Sequence, residues 1–358
     1  MIRSQKIILI IAALVVVGGA SIFGILVAVN WGEYNHSENF YSSSPIEEIN
    51  IESDIGAINI QYNTTPTDYY AKIELDIVIR GGFVSGKSFS NFFEPVIWQN
   101  ESTPIARFEL NAKSTTVFFL GLSRKINIYV TLRSDVMYNI DAYTSTGSIK
   151  LNASSNKIIN NTQLRTSTGS ISFTSAINTS FLGTLDLRTS TGSISAYAVM
   201  TNFSHGLTTQ SDTGSLTLSL TNCNINGNLV GTISTGSMTI VSYNTVYNKD
   251  CNWDFETSTG SIDVSITQLI EMKANITGDI QTSTGSIDVV YNDGLPNVGA
   301  QFTCSTSTGS ITYTDLGAGG MNKAGGVIST DDYNTATNKY IFSLGTSTGS
   351  IEVKGQSS

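Results

Sequence analysis

Apolar and polar residues alternate along most of this chain, and the alternation changes phase at a recurring glycine. Five residues before that glycine stand Ala142, Leu164, Leu187, Phe255, Ile280, Cys304 and Leu344, with Thr209 and Gly231 as exceptions. Seven before it stand Ile140, Leu185, Leu207, Leu229, Trp253, Phe302 and Phe342. The positions between are mostly polar. They are Asp141, Gln163, Asp186, Asp254 and Asp279 in one column, and Tyr143, Arg165, Arg188, Gln210, Thr232, Glu256 and Gln281 in the next. Period two predicts a strand with one buried face. After the glycine the apolar set moves to even offsets, with Ile149, Ile171, Ile194, Leu216 and Met238 two residues on. One residue is taken up at a corner, which suits glycine because it accepts positive φ.

The corner glycines are Gly147, Gly169, Gly192, Gly214, Gly236, Gly260, Gly285, Gly309 and Gly349, at spacings of 22, 23, 22, 22, 24, 25, 24 and 40. Self-similarity at that period predicts an all-β, parallel β-solenoid of 22–25 residues per coil, each coil burying its apolar face against its neighbours. Seven repeats read Thr-Ser-Thr before the glycine, as in Thr166, Ser167 and Thr168. Arrays of T-x-T suggest an ice-binding face. Parity argues instead that Thr166 points inward, as part of an internal ladder that satisfies backbone groups at the corner, and that Ser167 points out. Thermal hysteresis abolished by Thr→Val in this column would restore the ice-binding alternative.

The regular repeat covers 139–358, with an insertion at 315–339. The segment 46–138 reads as diverged coils or a cap, with Gly56 in a corner, strand-like runs at 70–79, 105–110 and 126–132, and an insertion at 81–103. Residues 351–353 are expected to close the far end of the stack and to offer an edge for end-to-end self-association.

The N-terminal part differs. Residues 7–29 carry no charge over 23 positions, long enough for one transmembrane helix. Arg3 and Lys6 precede it and Glu33 follows, which predicts a cytoplasmic stub and signal anchor (1–29), a polar tether (30–45) and an extracellular remainder at the cell membrane. A cleaved signal peptide would have a shorter apolar region and an A-x-A-like site. A pilin-like helix fits poorly with the polar run before Ile7.

Composition sharpens this picture. The chain has 358 residues, 13% of them charged, with 47 Ser, 43 Thr, 30 Asn and 32 Gly, and a net charge of −9. Removing Arg3 and Lys6 leaves 17 − 28 = −11 outside the membrane. That balance excludes a nucleic-acid phosphate binder. Like charges stacked at strand spacing repel along a ladder, whereas Ser, Thr and Asn can bond from rung to rung.

Candidate chemistry is sparse. His36 and His205 form no Ser-His-Asp pattern. Cys223, Cys251 and Cys304 are an odd number, with Cys304 in the inward column, a Cys223–Cys251 bridge as the minor alternative, and no metal-ligand spacing. Repeat-type calcium motifs are absent, and no metal, cofactor or catalytic residue is expected. Sequons at Asn35, Asn63, Asn100, Asn152, Asn160, Asn178, Asn202 and Asn275 are candidate glycosylation acceptors, at about the number chance provides.

The T-S-T-G-S-I motif between short alternating strands resembles an adhesin family of β-strand-repeat domains of unknown function, over 46–353 and most closely over 140–289. The resemblance implies a surface-exposed parallel solenoid for which adhesion is a presumption. The expected function is a non-catalytic, membrane-anchored, adhesin-like binding or envelope module, with surface glycans, proteins or further copies as partners. Two alternatives stand beside it. One is a carbohydrate-active β-helix enzyme using outward Asp141, Asp186, Asp254 and Asp279 with Arg165 and Arg188. The other is an envelope-stress sensor acting through a membrane partner.

Overall fold

The computed structural model describes residues 31–41, 46–63, 67–80, 88–100, 105–113, 123–295, 297–316 and 321–356. The apolar run 7–29 lies outside them. No helix among the described residues is long and apolar enough to cross a membrane. The described chain is nearly all β. Its one short helical element is the 3-10 turn Phe89–Asn91.

Each coil contributes a leading strand before its corner glycine and a trailing strand after it. In the middle of the molecule the leading strands Met137–Thr146, Ile158–Thr168, Leu185–Thr191, Leu207–Thr213, Leu229–Thr235 and Cys251–Thr259 pair in parallel and in register. Their trailing strands do the same, from Ile149–Ala153 to Ile262–Gln268. A third, two-residue ladder runs through the return segments, from Ser180–Phe181 to Val246–Tyr247. Alternation puts Ile and Leu from both sheets into one core, where Trp253, Phe173, Phe181 and Phe203 are fully buried.

All nine corner glycines have φ between +142° and +152°. A Cβ on Gly214 would lie 2.0 Å from the Gly192 carbonyl oxygen, so both conformation and stacking require glycine. The inward residue three before the glycine then closes the corner. Thr166 Oγ1 donates to the Gly147 carbonyl at 2.9 Å, Thr189 to Gly169 at 2.8 Å, and Ser211 to Gly192 at 3.0 Å. The internal ladder expected from parity is present. Thr168, one residue before its glycine, is exposed instead, as are its equivalents Thr146, Thr191 and Thr213.

A second corner has no glycine. Asn156, Asn178, Met200, Asn222 and Asn244 have φ of +60°, +61°, +47°, +52° and +48°. Asparagine tolerates this left-handed conformation better than other side chains. Asn178 Nδ2 donates to Asn156 Oδ1 at 3.2 Å, one rung below. The signal was present as a spacing of 22 between Asn156 and Asn178, and between Asn222 and Asn244.

The ends depart from sequential stacking. The leading strand of the Gly349 coil, Asn338–Thr348, pairs with Ile276–Thr284 on one side and Val298–Thr308 on the other. Its trailing strand Ile351–Gln356 lies between Ile287–Asp293 and Ile311–Leu316. The last coil in sequence is therefore next to last in space. This corrects the expectation that residues 351–353 close the stack: they are bonded on both sides, and Ile311–Leu316 is the edge. The 40-residue interval arises because the chain turns back through the hairpin Met321–Ala324 and Val327–Thr330, which pairs antiparallel with Val298–Thr308, before inserting its final coil.

The other end mirrors this. The Gly56 coil, Ile46–Ile55 and Ala57–Tyr62, sits between the Gly147 coil and a diverged outer coil made of Ile105–Leu110 and Ser123–Leu132. Antiparallel strands Ala71–Arg80 and Trp31–Phe40 extend the trailing sheet beyond it. Ten residues of the expected tether thus form an edge strand. Its tyrosine, Tyr34, stacks on Phe89 at 4.1 Å, and Phe40 is buried. Alternation of Tyr34, His36, Glu38 and Phe40 is too polar to announce a strand. Its exposed Glu33, Asn35, Ser37 and Asn39 suit an edge that must not pair further.

Candidate functional site

The outward face of the leading sheet carries the polar columns, and five successive strands, beginning at Ile105–Leu110, bring them into a grid. One row runs Arg107, Asn50, Asp141, Gln163, Asp186; the next runs Glu109, Glu52, Tyr143, Arg165, Arg188. Glu48 and Asn139 lie in the row beyond. A groove of about 490 Å³ opens here, lined by Glu48, Asn50, Glu52, Arg107, Asp141, Tyr143 and Arg165 over a floor of Ile51 and Phe108.

Its side chains hold one another. Arg165 Nη2 donates to both oxygens of Asp141, at 2.9 and 3.1 Å. Arg188 Nε donates to Asp186 at 2.8 Å, and this bond raises the arginine's pKa. Arg107 pairs with Glu109, which is nearly buried. Asn50 Nδ2 donates to Glu48 Oε1 at 3.1 Å. The Tyr143 hydroxyl lies 3.0 Å from Ser145 Oγ and 3.1 Å from Ser167 Oγ, which fixes its ring. Strand pairing, invisible in a single sequence, brings Glu48, Glu52, Arg107 and Glu109 to the columns already read as Asp141, Tyr143 and Arg165.

Other predicted residues stay apart. Asp254 and Asp279 are exposed neighbours in register, far along the sheet. On the trailing sheet Asp263, Asp288 and Glu352 stack in one row. Partial burial, then the charges of Asp263 and Glu352, raises the Asp288 pKa. Among the described residues no group of His, Cys, Asp and Glu could hold a metal ion. His36 lies 3.6 Å from Glu38 with its ring 4.9 Å from Trp98, and His205 is exposed in a return segment.

Cys223, Cys251 and Cys304 are buried and unpaired, so the minor alternative of a Cys223–Cys251 bridge is not realised. Burial pushes their thiols up to about 11, 12 and 11. Cys223 Sγ donates to the Ala198 carbonyl at 3.4 Å, filling a rung that Thr245 fills one coil on. Of the sequons, Asn152 and Asn178 are exposed, and Asn63, Asn202 and Asn275 are half-buried. Asn275 Oδ1 accepts from the Lys339 amide at 2.9 Å. Asn100 ends the strand Ile97–Asn100.

No family model matches this chain, and no curated protein does. Solved structures that resemble it include a presumed cell adhesion protein from Clostridium sporogenes, at 11% identity and TM-score 0.26, covering 91% of this chain and 100% of that one. A presumed adhesin from Bacteroides fragilis has 12% identity and TM-score 0.34, over 90% and 97%. A presumed lipid-binding protein from Parabacteroides distasonis has 14% identity and TM-score 0.37, over 90% and 97%.

Proposed function

We propose that this chain is a non-catalytic, adhesin-like binding module displayed at the cell surface. Residues 7–29 anchor it by a single pass with the N-terminus in the cytoplasm, and the solenoid lies outside. The groove between Glu48 and Arg165 is its recognition surface. The observation that carries this reading is that the groove's polar side chains are fixed before any ligand arrives. Arg165, Arg107, Asn50 and Tyr143 each already hold a partner, so little side-chain entropy is lost on binding. The groove also crosses several strands of a sheet that is bonded on both sides, which makes it rigid.

Binding of the full chain to a glycan panel and to whole cells tests this. Arg165→Ala and Tyr143→Ala together are expected to abolish binding while leaving the circular dichroism spectrum unchanged. Binding unaffected by that double change would place recognition elsewhere. Turnover on a polysaccharide panel, lost on Asp141→Asn, would replace the reading with the carbohydrate-active alternative. End-to-end association is a separate proposal, and its free edge would be Ile311–Leu316.

A further inference from the structure

We infer that the ligand of this groove is a glycan bearing free amines, such as an oligomer of deacetylated amino sugar. The inference rests on the groove being the recognition surface, and it follows from the charges there.

One of the groove's carboxylates is already neutralised, and both of its arginines are already paired. Asp141 is held by Arg165 through two bonds, and Glu109 is held by Arg107. Glu48 and Glu52 have no ion pair among the described residues. They project from one strand on the same face, with Asn50 between them. Four residues of strand separate them, roughly 13 Å. That distance is too great for both to ligate one metal ion. It suits a ligand whose positive charges recur along an extended chain.

The rest of the lining favours a sugar over a basic peptide. Tyr143 sits beside Glu52 in register, its ring held by hydroxyl bonds to Ser145 and Ser167. A ring fixed next to a carboxylate can pack against a sugar face while the carboxylate takes the ammonium. Asn50 supplies an amide between the two glutamates, where sugar hydroxyls can donate and accept. A basic peptide binding by strand addition would need a free sheet edge, and this groove lies within the sheet. The chain's net charge of −9 would attract a polycation from a distance but would not place it.

The test measures binding of the full chain to short glucosamine oligomers, their N-acetylated equivalents and oligolysine of matching charge. The glucosamine oligomer is expected to bind about ten-fold or more tighter than the other two, the size of a charge-assisted hydrogen bond. Glu48→Gln and Glu52→Gln should each weaken it by about ten-fold. Asp254→Asn alone removes the same charge from a distant part of the sheet and should leave binding unchanged. Equal loss in that control would reduce the effect to general attraction and overturn the inference, as would equal binding of oligolysine. Binding of acetylated oligomers that ignores both glutamine changes but is lost on the Arg165→Ala and Tyr143→Ala double change would sink the amine inference and keep the groove as a glycan site. No binding of any glycan would sink both.

Discussion

The middle coils and the two ends are built from the same corner but obey different orders. From Gly147 to Gly260 each coil stacks on the next in sequence, and the chain rises one strand spacing per turn. At both ends the order is exchanged. The Gly56 coil is covered by a coil that follows it in sequence, and the Gly309 coil lies outside the Gly349 coil. The difference teaches that stacking is governed by the corner and not by adjacency along the chain. Gly349 stacks on Gly285, with a would-be Cβ 1.9 Å from its carbonyl oxygen, as closely as any sequential pair. Thr346 Oγ1 donates to that same carbonyl at 3.0 Å. The corner has the same geometry whether or not the two coils are neighbours in sequence. The consequence is that the Gly349 coil lies inside: the hairpin covers the leading strand of the Gly309 coil, and the trailing strand Ile311–Leu316 is left as the edge.

Deleting residues 338–356 is the most severe way to break this comparison. A sequential stack would lose only its last rung. Here the deletion empties an interior rung, and Val298–Thr308 and Ile311–Leu316 lose the only parallel neighbours they have among the described residues. Hydrogen exchange is expected to show protection lost from 298–330 and retained from 137–268. Retained protection in 298–316 would contradict the exchanged order.

Next in size is the corner itself. Gly214→Ala places a methyl 2.0 Å from the Gly192 carbonyl at φ +147°. The expected loss is about 3 kcal/mol or more, combining strain and a backbone clash. Gly325, in the hairpin of the C-terminal end, has φ +63° with nothing within 4 Å of a would-be Cβ. Gly325→Ala should cost only about 1 kcal/mol, the conformational part alone. Equal losses in chemical denaturation would show that stacking at the corner contributes little.

The inward hydroxyl comes third. Thr189→Val keeps shape but strips the donor from the partly buried Gly169 carbonyl, at a cost of about 1 kcal/mol. The Gly56 coil, next to the outer coil without a glycine corner, works differently. Ser53 Oγ donates to the Ile55 carbonyl of its own coil at 2.8 Å and reaches the outer coil only at 3.4 Å, at the Leu110 carbonyl and not at a glycine. Ser53→Ala should therefore cost less than Thr189→Val. The reverse ranking in urea melts would mean that the ladder does not distinguish the middle from the end.

Much of this was legible in the sequence because repetition made each position a column. The parity of Leu164, Thr166 and Ile171 gave the buried face, the inward threonine and the corner. Coil order was not legible, since the Gly285, Gly309 and Gly349 corners read alike and nothing local says which lies next to which. The groove was half legible. Asp141, Tyr143 and Arg165 stand in the outward columns, but their neighbours Glu52 and Arg107 come from strands whose pairing depends on that exchanged order. The strand Trp31–Phe40 was illegible because it lies at an edge, where Tyr34 and Phe40 pack on the core but His36 and Glu38, at the same parity between them, are exposed.

The smallest effect concerns the asparagine corner, which belongs to the middle coils alone. Four of its five left-handed positions are asparagine, and the fifth is Met200 at φ +47° with its side chain exposed. Methionine there holds an unfavourable conformation without the local hydrogen bonding that asparagine supplies. Asn178, one rung below, has its amide donated to Asn156, so Met200→Asn would extend an existing ladder. The change buries nothing new and is expected to stabilise by about 1 kcal/mol, read as a rise in melting temperature. Met200→Ala relieves no strain and should leave stability within about 0.5 kcal/mol of the parent. If alanine stabilised as much as asparagine, the gain would come from removing an exposed apolar side chain. The corner would then be a matter of surface composition rather than backbone conformation.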